Sequence, residues 1–377
     1  MTAAEAQRPV EGAEERHGLF QDPLADWTND DVLQTKEARA ALGARHPSGL
    51  RVLDWPELRA LFTKYDPPAT RHGRRDRRYG LLSVALAALG LTLAGLAPLA
   101  VGAERYMEAA AAALTIAALG LMAFHEFGQT SKARWLGQRF GAERVRSLYF
   151  QAVTNNLDLV ARAMTNDAAL GEWKVARTAM LSHLPKPQDL PGQVPKLAGP
   201  ISSDDETWVV AGWSASPAAP PPSADLDLLL SLLRGQRFDA QLDYVERKLS
   251  HSLGAPGRRA ATVRLLSKLL LAAAVVTAIM AAVLLYTGRS PGDTDVKLAL
   301  AVTVGAVVAT LALRIINDDR LLSGDAARYA AYAAAARKAR DRFDAGGVAE
   351  KLAALREMEV IAYRDLREFV AAHWRAR

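Results

Sequence analysis

Apolar positions along the chain gather into four long runs instead of recurring at the spacing of a globular core. Residues 79–103, YGLLSVALAALGLTLAGLAPLAVGA, carry no charge. As a helix, this run is about 37 Å long, which exceeds a hydrocarbon layer of about 30 Å. Residues 109–124, AAAAALTIAALGLMAF, are shorter and span a bilayer only with Tyr106 and Met107 at one end and Phe127 at the other. A second cluster repeats the arrangement, with 269–287 and 298–313 separated by GRSPGDTDVK, whose Pro291 and Gly292 predict a turn. The pattern predicts an all-α integral membrane protein with four transmembrane helices in two hairpins and long cytoplasmic helices. The plainer alternative, two hairpins buried in a large soluble bundle, is disfavoured by runs of this length without polar punctuation.

Basic residues set the orientation. Arg71, Arg74, Arg75, Arg77 and Arg78 precede the first run, and Lys132, Arg134, Arg139, Arg144 and Arg146 follow the second. Arg258, Arg259, Arg264 and Lys268 precede the third, and Arg314, Arg320 and Arg328 follow the fourth. The two connectors inside the hairpins hold only Arg105, Arg289 and Lys297. Both termini and the central segment are therefore expected on the cytoplasmic side. The net charge of +6 thus faces anionic lipid, and without interleaved aromatics on a groove-reading module it does not predict a nucleic-acid partner. The first 17 residues carry Glu5, Glu11, Glu14 and Glu15 and no apolar core, so a cleaved signal is not expected.

The remaining segments read as helices and linkers. Residues 1–17 are expected to be disordered, and 18–70 to form a small helical cytoplasmic region. That region holds one helix over 29–43, capped by Asn29 or Asp30 and stopped at Gly43. A second covers 54–64, capped by Asp54 with Pro56 in its first turn. Residues 71–183 join the first hairpin to a long amphipathic helix with apolar Trp135, Phe140, Leu148, Val153, Leu157, Val160 and Met164, broken near Thr165 or Asn166. Residues 184–224, rich in Pro, Gly and Ser, read as a linker unable to hold a helix, with Trp208 and Trp213 flanking a docking patch. The unit 225–377 holds the second hairpin with flanking helices at 225–250, 321–343 and 349–375. The last of these carries Leu352, Leu355, Met358, Ala362, Leu366 and Phe369 on one stripe.

Several stretches resemble the SLATT family, bacterial two-transmembrane effectors associated with SMODS and SLOG proteins, and related uncharacterised two-span membrane proteins. In the first half they are KYDPPATRHGRRDRR, with Tyr65, Asp66 and Ala69, and ARWLGQRFGAERVRS, with Trp135, Arg139, Ala142, Glu143 and Arg146. In the second they are RGQRFDAQLDYVERK, with Arg237, Gln241 and Tyr244, and the closing LREMEVIAYRDLREFV. The resemblance implies an effector that perturbs or permeabilises the bilayer when a nucleotide-sensing or nucleotide-synthesising partner, expected to be encoded nearby, is triggered in bacterial defence. It supplies no catalytic residues.

The chemistry of the remaining motifs points away from an enzyme. There are no cysteines, which excludes disulfides, Cys-ligated metals and a Cys nucleophile. The seven histidines form no HxxxH pair, and no GxxxxGK[ST], GxGxxG or GxSxG occurs. No cofactor or metal is expected. His125 and Glu126 at the end of the second run serve either as an interfacial cap or in proton transfer. Small residues every four positions, Gly90 with Ala94, Ala274 with Ala278 and Ala282, and Ala301 with Gly305 and Ala309, suit close helix packing. Thr303 and Thr310, seven apart, are candidates for lining a pore, or bond back to their own helix carbonyls. No run carries a central charge, which disfavours coupled transport. The expected function is an oligomeric effector in the bacterial inner membrane, with the spans rearranged through the cytoplasmic helices. The alternative is a non-conducting scaffold that recruits cytoplasmic partners.

Overall fold

The computed structural model describes residues 30–97, 102–127, 129–200, 219–253, 255–290, 293–319 and 322–375. Its described elements are α-helices apart from one 3₁₀ turn and one π-helical turn. They form a body with a conventional core and a bundle of long helices whose outer faces are apolar and exposed.

The body starts from a non-helical segment, not from the expected helix at 29. The Asp30 carboxylate accepts from the amides of Gln34 and Thr35, an arrangement that competes with helix formation. Leu33 sits in the left-handed region at φ 56°. Helix α1 (Lys36–Arg45) begins only after Thr35, whose hydroxyl caps the amide of Ala38. After α2 (Pro47–Leu53), helix α3 (Pro56–Leu96) starts with Pro56 in its first turn, but the N-cap position is Trp55. Asp54 instead pairs with Arg59.

The expected stop near residue 64 is absent. α3 runs through Pro67 and Pro68 into the first apolar run as one helix of 41 residues. Its lower half buries Leu58, Phe62, Tyr65 and Ala69.

At the other end of the first hairpin, α4 (Glu104–Phe127) is followed by α5 (Gln129–Asn155), α6 (Leu157–Ala163) and α7 (Asp167–Met180). The expected single helix after residue 131 thus breaks earlier, at Asn156, as well as before Asn166, which caps α7. Nor is α5 amphipathic. From Trp135 onward almost every position is buried, including Arg144, Arg146, Ser147, Gln151 and Thr154. It is the central helix of the body, packed against α3 and against α8 (Leu190–Leu197). α8 lies inside the stretch expected to exclude a helix. Leu190, Val194 and Leu197 are buried, and a Cβ on Gly137 would stand 3.0 Å from the Leu190 backbone. Burial against α5 overrides the weak local propensity of LPGQVPKL. Trp208 and Trp213 lie outside the described residues.

The second half runs through α9 (Ala224–Leu233), a π-turn (Arg234–Asp239), α10 (Ala240–Leu253), α11 (Ala255–Tyr286), α12 (Thr294–Asp319), α13 (Leu322–Ala345) and α14 (Val348–Arg375). One core cluster extends from Val32 to Val370 and takes in both halves of the chain. α13 and α14 pack on each other, and α14 also meets α5 and α8.

Among the described residues, three helices are long and apolar enough to cross a membrane: α3, α11 over 265–286 and α12 over 294–313. Their apolar side chains point outward. Leu82, Leu89, Val276, Ile279 and Leu311 are about half exposed, an arrangement that water does not tolerate over a patch this large. α4 has the length but places Glu104, Arg105 and Glu108 in its first turns. α3 packs along α4, α11 along α12, and α12 also against α3, where a Cβ on Gly95 would meet Val304. Gly288, at φ 89°, follows α11 in the turn toward α12, a conformation that favours glycine.

Candidate functional site

Two places could carry function: the membrane-type helices, where the sequence placed its candidate residues, and the centre of the body, where it placed almost none. In the first, Gly90 is buried, and a Cβ there would lie 2.8 Å from Thr115 Oγ1 and 3.0 Å from the Ala111 carbonyl. Ala94 is exposed beside a groove lined by Ala111, Ala112 and Ile116, with Glu108 on its wall. Ala274 is buried, whereas Ala278 and Ala282 are exposed and Ala281 is the next buried alanine. Ala301 is buried; Gly305 and Ala309 are half-buried. Thr303 exchanges a hydrogen bond of 2.7 Å with Thr277 across the second hairpin, and its hydroxyl also bonds the Ala299 carbonyl. Thr310 is buried and donates to the carbonyl of Ala306.

The expected basic flank divides in two. Arg71, Arg75, Arg78, Arg134 and Lys268 are exposed and Lys132 is half-buried. The side chains of Arg74, Arg77, Arg258, Arg259, Arg264, Arg314, His125 and Glu126, and the whole of Arg320, lie outside the described residues. Arg144, Arg146 and Arg328 do not face a bilayer. Arg146 bonds Asp31 at 3.0 Å and pairs with Glu143. Arg144 lies over the Phe140 and Tyr363 rings. Arg328 pairs with Asp365 and stacks over Tyr329.

These arginines belong to a network of charges buried in the body. α5 presents Arg139, Glu143 and Arg146 on one face, at spacings of four and three. Arg139 reaches Asp66 of α3 at 3.3 Å and Glu143 at 2.8 Å. Asp31, with a fully buried side chain, accepts from Arg146 and, at 2.7 Å, from Gln241 of α10. The Tyr332 hydroxyl of α13 donates to Gln241 at 3.3 Å. Beside it, Arg237 of the π-turn meets Glu359 of α14 at 2.6 Å, both essentially without solvent exposure, with the guanidinium 4.6 Å from the Phe150 ring centre. π-turns are rare and often mark functional sites; this one turns Arg237 and Phe238 inward.

Burial and pairing pull these acids in different directions. Burial raises Asp31 against the pull of Arg146 and Arg237, and raises Glu359 against Arg237. Burial also pushes Asp365 up to about 6 against Arg328. For Glu143, burial opposes ionisation, but Arg146 and Arg139 together hold the carboxyl down at about 2. The network therefore holds Glu143 firmly ionised, while burial shifts Asp31, Glu359 and Asp365 in the opposite direction. Among the described residues, no group of three or more His, Asp and Glu could hold a metal ion.

No family model, curated protein or solved structure matches the chain.

Arg139, Glu143, Arg146, Arg237, Gln241, Tyr65 and Asp66, quoted above for their resemblance, converge in or beside this network. Asp31, Glu359 and Asp365 were not singled out by the sequence, and Arg328 was read there only as a membrane-flanking cation. The signal for Glu359 was present, since 355, 359, 362 and 366 share the helix face that carries Leu355, Ala362 and Leu366. A charge on that face has to be buried.

Proposed function

We propose that the chain is a bacterial membrane effector with four spans in two hairpins and both termini in the cytoplasm, and that it works as an oligomer, in the manner its resemblance to SLATT proteins implies. The cytoplasmic body senses a signal delivered by a nucleotide-dependent partner and transmits it to the spans. One observation carries this reading: α3 is a single helix whose lower half is core of the body and whose upper half is an apolar, outward-facing span. Motion of one half is motion of the other. Pro67 and Pro68 sit between the halves and leave the carbonyls of Thr63 and Lys64 without helical N–H donors, so α3 bends most readily at that point.

Full-length protein reconstituted into dye-loaded liposomes is expected to release dye once the body is perturbed, for example by Asp31→Ala. The joint substitution Pro67→Ala and Pro68→Ala is expected to change the rate. Liposomes that stay sealed with every variant, and with nucleotides added, would overturn the effector reading. The hydroxyls of Thr277, Thr303 and Thr310 are bonded within the chain, which favours a second reading, a non-conducting scaffold. Sealed liposomes together with stable capture of a cytoplasmic partner by the body would support it.

A further inference from the structure

We infer that the exposed face of α3 at the base of the first span is a binding surface for anionic phospholipid headgroups, a proposal that rests on α3 spanning a bilayer. Exposed positions on α3 run 71, 75, 78, 82, 85 and 89, steps of three and four that keep them on one side of the helix. The first three are Arg71, Arg75 and Arg78; the next three are Leu82, Ala85 and Leu89. One helix face thus changes from all cationic to all apolar within a single turn, which is the boundary between headgroups and acyl chains. The three guanidinium groups rise along the helix in steps of about 4.5–6 Å, and that of Arg75 lies 5.2 Å from the centre of the Tyr79 ring, an aromatic at interfacial depth.

Arg134 adds a fourth exposed cation at the same level, because its neighbour Trp135 packs against Gly73 of α3. Among the described side chains, no carboxylate pairs with Arg71, Arg75 or Arg78. The opposite end of the bundle is different: exposed Arg289 lies 3.9 Å from Asp295. Charge complementarity therefore selects a lipid phosphate at the basic end only, with the acyl chains lying along Leu82 and Leu89.

The test is a titration of full-length protein in neutral detergent with fluorophore-labelled phosphatidylglycerol, competed by unlabelled phosphatidylglycerol, phosphatidylcholine or inorganic phosphate. Unlabelled phosphatidylglycerol is expected to compete, and phosphatidylcholine and phosphate to compete far more weakly. Replacing Arg71, Arg75 and Arg78 together by Glu is expected to weaken binding on the order of 100-fold. The triple Gln variant should lose most of the binding and the triple Lys variant should keep it, which separates lost charge from lost fold. Equal competition by phosphatidylcholine, equal competition by phosphate, or triple Glu and Gln variants that bind like the parent would each overturn the proposal. A chain extracted from membranes by alkaline wash would sink the spanning reading itself. One that stays embedded yet ignores headgroup charge sinks this inference alone.

Discussion

Within α3, Leu58, Phe62, Tyr65 and Ala69 disappear into a core with aromatic rings and ion pairs, whereas Leu82 and Leu89 on the same helix stand about half exposed. The body and the span region reverse each other's inside and outside. In the body, charges go in: Arg146, Arg237, Asp31 and Glu359 are all buried. In the span region the described hydroxyls of Thr92, Thr115, Thr277, Thr303 and Thr310 bond helix carbonyls. The difference teaches where specificity resides. Ala, Leu and Val against lipid have many nearly equivalent packings. A buried ion pair has few, because any other arrangement leaves a charge desolvated without a partner.

The largest expected effect breaks that contrast on the body side. Glu359→Ala leaves Arg237 buried against Phe150 without its counter-charge and is expected to cost about 3–5 kcal/mol of body stability. Asp158→Ala, which removes an exposed partner of Arg162, is expected to cost no more than about 0.5 kcal/mol. Denaturant unfolding in detergent, followed by tryptophan fluorescence, measures both. Similar costs for the two would mean that the network does not hold the body together.

Next comes pH. Asp365 is held at about 6 rather than 3.8. Between these values the folded chain keeps a proton that the unfolded chain has released, so stability falls as pH rises from about 4 to 6, by an amount on the order of 3 kcal/mol. Asp31 and Glu359, also raised, act with the same sign. Glu143 acts with the opposite sign, but its contribution is lost only as pH falls from 4.5 toward about 2. Asp365→Asn should therefore flatten part of the slope in thermal unfolding scans across pH 4 to 6. An unchanged slope would remove Asp365 from the account.

How much of this was legible follows from the same contrast. Four apolar runs were expected to cross a membrane, and among the described residues three of them lie in helices long and apolar enough to do so, because lipid asks only for length and an absence of charge; the run at 109–124 lies in α4, whose first turns are charged. The body was harder. A break at Asn156, α8 inside a Pro-rich stretch and the continuation of α3 past two prolines are all set by tertiary burial, which no local window contains. Arg144 and Arg146 looked like membrane-flanking cations because sequence distance from a span is a poor guide to facing it. Only their partners, Asp31 from more than a hundred residues upstream and Tyr363 from beyond the second hairpin, move them inward.

Packing between the spans is sharpened by Gly90→Leu. The new side chain meets the Ala111 carbonyl and Thr115 on α4, so α3 and α4 have to separate, at a cost of about 1–3 kcal/mol. Ala85→Leu, at an exposed position on the same helix away from that groove, is the matched control and is expected to leave stability nearly unchanged. Thermal unfolding in detergent distinguishes them. Equal effects would mean that α3 and α4 do not meet along Gly90.

The smallest effect tests whether the hydroxyls of the second hairpin join its helices. Thr277 and Thr303 share a hydrogen bond between α11 and α12, yet each also donates to or shares with a carbonyl of its own helix. Losing the interhelical partner therefore leaves neither oxygen stranded. Thr277→Val keeps the shape and removes the bond, and is expected to cost about 0.6 kcal/mol. Thr310→Val, which loses only a bond to Ala306 of its own helix, is expected to cost less. Combining Thr277→Val with Thr303→Val should cost less than the sum of the single changes, since both remove the same bond. Additive costs would show that the two hydroxyls act separately, leaving α11 and α12 joined by the contacts of their small side chains alone.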